Sequence, residues 1–219
     1  MNEPLNIIYQ DDWLIAVDKP AGYLVHPADQ PQEGDLVTMK ILRDQIEQHV
    51  YNIHRIDRPT TGVLLFSKDR DAARTLHRAL ERHEIKKTYW AIIHGCPPAD
   101  TWECRQPLRK SDDAPERDAH TSFSVLKKQG ELVLIEAIPY TGRTHQIRKH
   151  LLHANIPIVG DFRYAGIETS TILGKKLGTN TRMLLQSRQI QFQHPVTSNN
   201  TTITAPLDPY FTQCFSSLN

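Results

Sequence analysis

The chain has 219 residues, 39% hydrophobic and 23% charged, with a formal net charge of only +1. This length fits one large domain or two small lobes with a real core. The near-neutral balance argues against a non-specific nucleic-acid coat protein but leaves room for local basic surfaces. No apolar run could span a bilayer, and the amino end lacks the basic and apolar regions of a secretory signal. The three scattered cysteines, Cys96, Cys104 and Cys214, suggest neither a disulfide framework nor a zinc site, so a reducing cytoplasm is the expected location.

Leu5 to Tyr9 and Trp13 to Val17 read as two short strands of a hairpin, joined through Gln10-Asp11-Asp12. Asp18-Lys19-Pro20-Ala21-Gly22 breaks the second strand. An extended segment follows from Tyr23 to Pro27, then an aperiodic polar loop from Ala28 to Gly34. Asp35 reads as the N-cap of a helix running to about Gln48, with Leu36, Met39, Leu42 and Ile46 at helical spacing.

The next stretch, His54-Arg55-Ile56-Asp57-Arg58-Pro59-Thr60-Thr61-Gly62, is a charged loop, and it runs into an apolar strand from Val63 to Phe66. Pro59 imposes an extended or turn conformation, and Thr60-Thr61-Gly62 reads as a turn. Asp57 therefore sits on a loop held by a buried strand. Between Arg55 and Arg58 its carboxylate is either a structural ion-pair member or a reactive group with positive charge supplied for an anionic partner.

A second helix spans roughly Arg70 to His83. Ala72, Ala73, Leu76, Ala79 and Leu80 form its apolar stripe, and Arg70, Arg74, His77, Arg78, Glu81 and Arg82 its other face. Lys86 to Gly95 reads as a strand rich in aromatic and β-branched residues, with Tyr89 near its start. Thr101 to Leu108 reads as an edge strand and Ser111 to Asp118 as a surface loop. Ala119 to Lys127 and Glu131 to Ile138 form a hairpin turning at Gln129-Gly130.

Arg143 to His153 reads as a short helix with Thr144 as N-cap. Leu151 and Leu152 share the face of Arg148, which places Arg148 against the interior and demands an acidic partner for it. A salt bridge to any nearby carboxylate would satisfy that demand. Asn155 to Tyr164 reads as a loop, Ala165 to Asn180 has no clear period, and Met183 to Phe192 with Thr201 to Thr204 form a closing strand pair before a short tail. The sum, about nine or ten strands in neighbouring hairpins and three or four helices, is an α+β chain with a mainly antiparallel sheet.

Phosphate-binding glycine loops, zinc-helix spacing and nucleophile elbows are missing from the sequence. What remains is a carboxylate in a basic loop (Asp57), a tyrosine at a strand start (Tyr89) and an arginine facing the interior (Arg148). A carboxylate can act as a nucleophile at an electrophilic carbon, an arginine can keep it ionised, and an aromatic face can hold a flat substrate.

Four segments occur in an order that resembles the RluA-type pseudouridine synthases. They are Lys19-Pro-Ala-Gly-Tyr-Leu-Val-His-Pro27, His54-Arg-Ile-Asp-Arg-Pro-Thr-Thr-Gly62, Lys87-Thr-Tyr89, and Thr141-Gly-Arg-Thr-His-Gln-Ile-Arg148 followed by Gly160-Asp161. The resemblance extends over nearly the whole chain. It implies a single catalytic domain over 1–219 with no N-terminal S4 domain, built on a large, mainly antiparallel mixed sheet with flanking helices and a central catalytic cleft. It implies that Asp57 is the nucleophile, that Tyr89 stacks on the target uracil and that Arg148 pairs with Asp57. Arg55 would fill the place of the flipped base, and His54, Arg58, Thr61, Arg143, His145 and Gln146 would contact RNA. The family isomerises uridine to pseudouridine in structured RNA with no cofactor and no metal. Ile56 and Thr61 stand where the family often has Leu and Ser, and Leu185-Gln186-Ser187 replaces a more usual Leu-His-Ala.

Among family members without an S4 domain, Ile7 to Pro20 and Arg43 to Val50 most resemble the TruC branch, which modifies uridine-65 of tRNA. The alternatives are a ribosomal RNA substrate or both RNA types, a catalytically silent RNA-binding module, and an Asp-dependent glycosidase, for which no second carboxylate is offered. A monomer is expected, with no membrane partner.

Overall fold

The computed structural model describes residues 3–27 and 32–215, so the aperiodic loop expected over 28–34 lies outside the described residues as far as residue 31. In chain order the elements are β1 (Asn6–Gln10), β2 (Leu14–Lys19), α1 (Thr38–Ile46), β3 (Tyr51–Asn52), β4 (Thr61–Ser67), α2 (Arg70–Glu81) and β5 (Lys86–His94). They continue with β6 (Thr101–Cys104), β7 (Thr121–Gln129), β8 (Leu132–Pro139), α3 (Gln146–His153), α4 (Ile167–Leu177), β9 (Leu185–Gln193), β10 (Asn200–Thr204) and α5 (Pro209–Cys214). The class is α+β, and every strand pair with a described register is antiparallel.

The chain divides into two compact units. One comprises Met1–Lys87 with Ser187–Pro206, the other Thr88–Gln186 with Leu207–Asn219. In the first, the strand order is β1-β2-β4-β9, with β3 on β4 and β10 on β9. All seven residues of β4 are buried, which explains why its sequence is a continuous apolar run rather than an alternating one. One side of this sheet packs Val63, Leu65, Ile190, Phe192 and Ile203 against Ala73 and Leu76 of α2. The register sets Lys19 opposite Gly62 and Asp18 opposite Val63. The loop leaving β2 and the loop entering β4 therefore meet at the same end of this sheet.

In the second unit the order is β5-β8-β7-β6. Tyr89 lies opposite Ala137, and β6 is the short edge strand, where Trp102 stacks on Phe123 with ring centroids 4.9 Å apart. A separate core gathers Ile92, Leu134, Val159, Leu184, Phe211 and Phe215.

Five local expectations need correction. Asp35 does not cap α1: residues 36 and 37 are drawn into extended pairing with Leu24, so the helix begins at Thr38 after the uncapped Val37. Thr144 does not cap α3, whose cap position is His145 in the left-handed conformation. Leu152 is 38% exposed, so only Leu151 shares the burial of Arg148. The aperiodic 165–180 stretch contains α4, and the expected tail contains α5, which starts from an Asp208 cap and a proline.

The cap of α2 is regular: the Asp69 carboxylate accepts from the backbone N–H groups of Asp71 and Ala72 at 3.0 and 2.8 Å. Replacing it with alanine, Asp69→Ala, should cost about 1 kcal/mol of stability. Urea denaturation should record this as a lower midpoint with an unchanged slope.

Candidate active site

The predicted site residues fall into two groups, His54, Arg55, Asp57, Arg58 and Thr61 in the first unit and Tyr89, Arg143, His145, Gln146 and Arg148 in the second. Each group has its own anchoring chemistry.

In the first unit, Asp57 opens a tight turn closed by the Thr60 N–H donating to the Asp57 carbonyl at 3.0 Å. Burial along the loop is uneven: His54, Ile56 and Thr60 point into the protein, Asp57 is half-buried, and Arg55 and Arg58 are exposed. Buried residues on either side thus hold the turn that presents the carboxylate.

The strongest anchor is Lys19, whose side chain is fully buried. Its ammonium donates to the carbonyls of Pro20, Tyr23 and Arg58 at 2.7, 2.9 and 3.1 Å. The Gly22 N–H also donates to the Arg58 carbonyl at 2.8 Å, and Arg58 Nε returns a bond to the Gly22 carbonyl at 2.8 Å. Gly22 adopts φ +84°, a left-handed value that favours glycine. Arg58 also pairs with Asp35 at 3.3 Å, which gives that carboxylate a purpose other than capping. The residue after Asp57 is therefore held through both its backbone and its side chain.

His54, expected at the RNA, is only 8% exposed. Its Nε2 accepts the Leu65 N–H at 3.1 Å, which requires a neutral ring and latches the loop to β4. Burial pushes the imidazole down from 6.5 to about 3, with a smaller push from the Lys87 charge. Lys87 is itself held below its ordinary range by burial. Thr61 is likewise buried, at the start of β4. Arg55, by contrast, is exposed and makes no hydrogen bond or ion pair among the described residues.

In the second unit, Arg148 is 5% exposed and has the acidic partner its burial demands. Nε and one terminal nitrogen form a two-pronged pair with Asp161 at 2.7 and 2.8 Å. The guanidinium lies 5.0 Å from the centre of the Tyr164 ring, and the Tyr164 hydroxyl meets His145 Nδ1 at 2.9 Å. Gly160 sets up the Asp161 turn at φ +75°; a Cβ there would lie 1.9 Å from the Arg182 carbonyl oxygen.

Gln146 is buried with its amide fully used. Its oxygen accepts from the Thr141 hydroxyl and the Arg143 N–H at 2.6 and 3.0 Å, and its nitrogen donates to the His120 carbonyl and the Thr121 hydroxyl, both at 2.9 Å. It ties α3 to the ends of β7 and β8. Arg143 Nε donates to the Asp118 carbonyl at 2.8 Å. Tyr89 is buried in β5 at 8% exposure. Sequence reasoning assigned no role to Lys19, Asp161 or Tyr164. The available signals were a lysine ending an apolar strand and an aspartate directly after a glycine. No group of three or more His, Cys, Asp or Glu residues suited to a metal ion occurs among the described residues, and no helix there is long and apolar enough to cross a membrane.

This geometry presents a carboxylate on a braced turn and places a buried arginine in a carboxylate and aromatic cage. Residues 13–153 match the family model described as RNA pseudouridylate synthase. The chain is 38% identical to tRNA pseudouridine synthase C of Haemophilus ducreyi, over 97% of this chain and 95% of that protein. It is 37% identical to ribosomal large subunit pseudouridine synthase C of Buchnera aphidicola, over 94% and 68%. Among solved structures it is similar to human RNA pseudouridylate synthase domain containing 4, with a TM-score of 0.78, 25% identity, and 97% and 92% coverage. The chain belongs to the RluA-type RNA pseudouridylate synthase family. It is accordingly an isomerase acting on RNA.

Two outcomes follow from the anchors. Lys19→Met preserves length but strips three carbonyls of their shared donor. It should lower stability by about 2–4 kcal/mol, measured by urea denaturation. His54 should make stability depend on pH. Its folded-state value is depressed, so below about 6.5 the unfolded chain takes up a proton that the fold excludes, and stability falls as pH drops towards 3. The slope should approach about 1.4 kcal/mol per pH unit. His54→Gln, whose amide oxygen can accept the same N–H, should flatten that part of the profile in denaturation series between about pH 4 and 7.

Proposed function

We propose that this enzyme converts uridine-65 of tRNA to pseudouridine in the cytoplasm, as a monomer and without a cofactor, with Asp57 as the nucleophile. The observation that carries the chemical assignment is the turn itself: Asp57 is the half-buried carboxylate next to a residue pinned by the fully buried Lys19. A nucleophile fixed before substrate arrives loses little freedom on reaching the transition state. The tRNA assignment is supported by several relatives named tRNA pseudouridine synthase C, at 34–38% identity.

The bond from the ribose to the ring nitrogen breaks, the uracil turns, and a bond from the ribose to a ring carbon forms. The proton leaving that carbon is balanced by one gained at the freed nitrogen, so the reaction is an isomerisation. Tyr89 supplies a stacking face and Arg148 the positive charge that keeps a carboxylate ionised. Arg55, exposed and unengaged, enters the stack vacated by the flipped base and offsets part of an unstacking cost of a few kcal/mol. Arg58, Arg143 and His145 contact RNA. His54, Thr61 and Gln146 serve recognition through the backbone they hold, since their side chains are buried.

Ribosomal RNA is the second reading, favoured by the relative named ribosomal large subunit pseudouridine synthase C. Chemical mapping of pseudouridine in tRNA and rRNA from a deletion strain separates the two: loss of the tRNA-65 signal alone is expected, and loss of an rRNA signal alone would overturn the tRNA assignment. Asp57→Asn should reduce pseudouridine formation on purified RNA by at least about 10³-fold, with unchanged denaturation behaviour. Wild-type turnover in that variant would remove Asp57 from the mechanism.

A further inference from the structure

The first unit contains an open groove of about 910 Å³ that includes none of the predicted site residues. Its walls come from the second half of α2, the start of β5 and the β9–β10 hairpin. Arg78, Arg82 and Lys86 contribute cations, and Gln193, Asn200 and Thr202 contribute amides and a hydroxyl. All six side chains belong to exposed residues.

The charges are weakly opposed. Arg78 and Lys86 make no hydrogen bond or ion pair through their side chains among the described residues, and Arg82 meets Glu84 only at 4.0 Å. Elsewhere on α2, Arg74 is paired with Asp71 at 2.9 Å. Arg70, at the other end of α2 and outside the groove, is likewise uncommitted, so what marks the groove is that it gathers its cations in one place. They cannot escape mutual repulsion by pairing, which favours an anionic occupant.

The opposite wall is neutral and hydrogen-bonding. Strand alternation buries Ile190, Phe192 and Ile203 in the core, so the polar residues between them form a strip. Asn200 lies opposite Gln193 and Thr202 opposite Gln191, and Gln189 donates to Thr204 at 3.0 Å. Amides and hydroxyls of this kind bind phosphate oxygens and can both donate to and accept from a ribose 2′-hydroxyl. The groove offers no exposed aromatic anchor of the sort that protein interfaces use.

We propose that this groove binds the sugar-phosphate backbone of the substrate RNA at a place other than the uridine being modified. It would add affinity and orientation without reading sequence. The proposal deepens the function given above and rests on it, because the groove is assigned to the same RNA molecule.

The test uses the full chain and whichever of unmodified tRNA or rRNA fragment the wild type modifies. Binding is measured by fluorescence anisotropy across a salt series for the wild type, for R78E/R82E, and for K175E/K176E on α4, which reverses the same number of charges. R78E/R82E should weaken binding at least about tenfold near 0.1 M salt and reduce the slope of log affinity against log salt by about 2. R78K/R82K should restore most of both, and circular dichroism should show the wild-type fold in every variant. Hydroxyl-radical footprinting should show a protected backbone segment apart from the target uridine, lost only in R78E/R82E. Unchanged binding in R78E/R82E, an equal loss in K175E/K176E, or a footprint loss confined to the target uridine would overturn the proposal. If the wild type modified neither RNA, the functional reading itself would fail, an outcome distinct from these.

Discussion

A charged ammonium with no exposure to water is the constraint on which the rest of the first unit depends. Removing Lys19 from solvent is costly unless its donors are all used, and three carbonyls surround it. Two of these belong to the loop leaving β2, and the third to Arg58, immediately after Asp57. The desolvation cost therefore acts as a specification: only a backbone course that brings these carbonyls together is tolerated. Loops are ordinarily the mobile part of a fold. Here the turn bearing the carboxylate shares a buried ion with its neighbour.

The second unit also buries a cation, but satisfies it with a carboxylate in place of carbonyls. Arg148 is buried on a helix and satisfied by Asp161 in a two-pronged geometry that a lysine could not reproduce. The carboxylate is reached only because Gly160 permits a turn pressed against the backbone at Arg182. Tyr164 then covers the guanidinium and ties to His145, which occupies the left-handed position at the start of α3. A buried pair of this kind is weak ground for stability but a strong constraint on position. In both units, charge is buried where the chain must be held, and several polar side chains of the sequence motifs turn out to be framework. Gln146 and His54 look like recognition residues from their motifs, yet their hydrogen-bonding atoms are directed inward.

Much of this was legible in the sequence, for a physical reason. The elements that read well, such as β5, expected over 86–95 and found at Lys86–His94, and the hairpin of β7 and β8, carry apolar patterns bounded by a glycine. The requirement that Arg148 find an acid followed from its spacing to Leu151. The misses share a different cause. In α4 the helical pattern is blurred by Ser170 and by Gly174, where a Cβ would lie 2.0 Å from the Asn180 carbonyl oxygen, so that close packing rather than periodicity selects the residue. Asp35 looked like a cap because caps are local, whereas its pairing with Arg58 spans distant parts of the chain. Lys19 had no local signature of burial, since its three acceptors are backbone atoms and any residue supplies a carbonyl.

The near-neutral composition is explained by how the cations are distributed. Arg43, Arg74, Arg105, Arg109 and Lys128 each sit beside a carboxylate within 3.2 Å. Their charge is largely cancelled at short range, and such exposed pairs add little stability. Arg55, Arg78 and Lys86 lack such partners. A polyanion responds to local potential more than to the sum over the chain, because charges beyond a Debye length are screened. A protein with a formal charge of +1 can therefore engage RNA if its paired charges are silent and its unpaired ones occupy the surfaces that matter. The sequence total could not distinguish these two populations; the pairing pattern does.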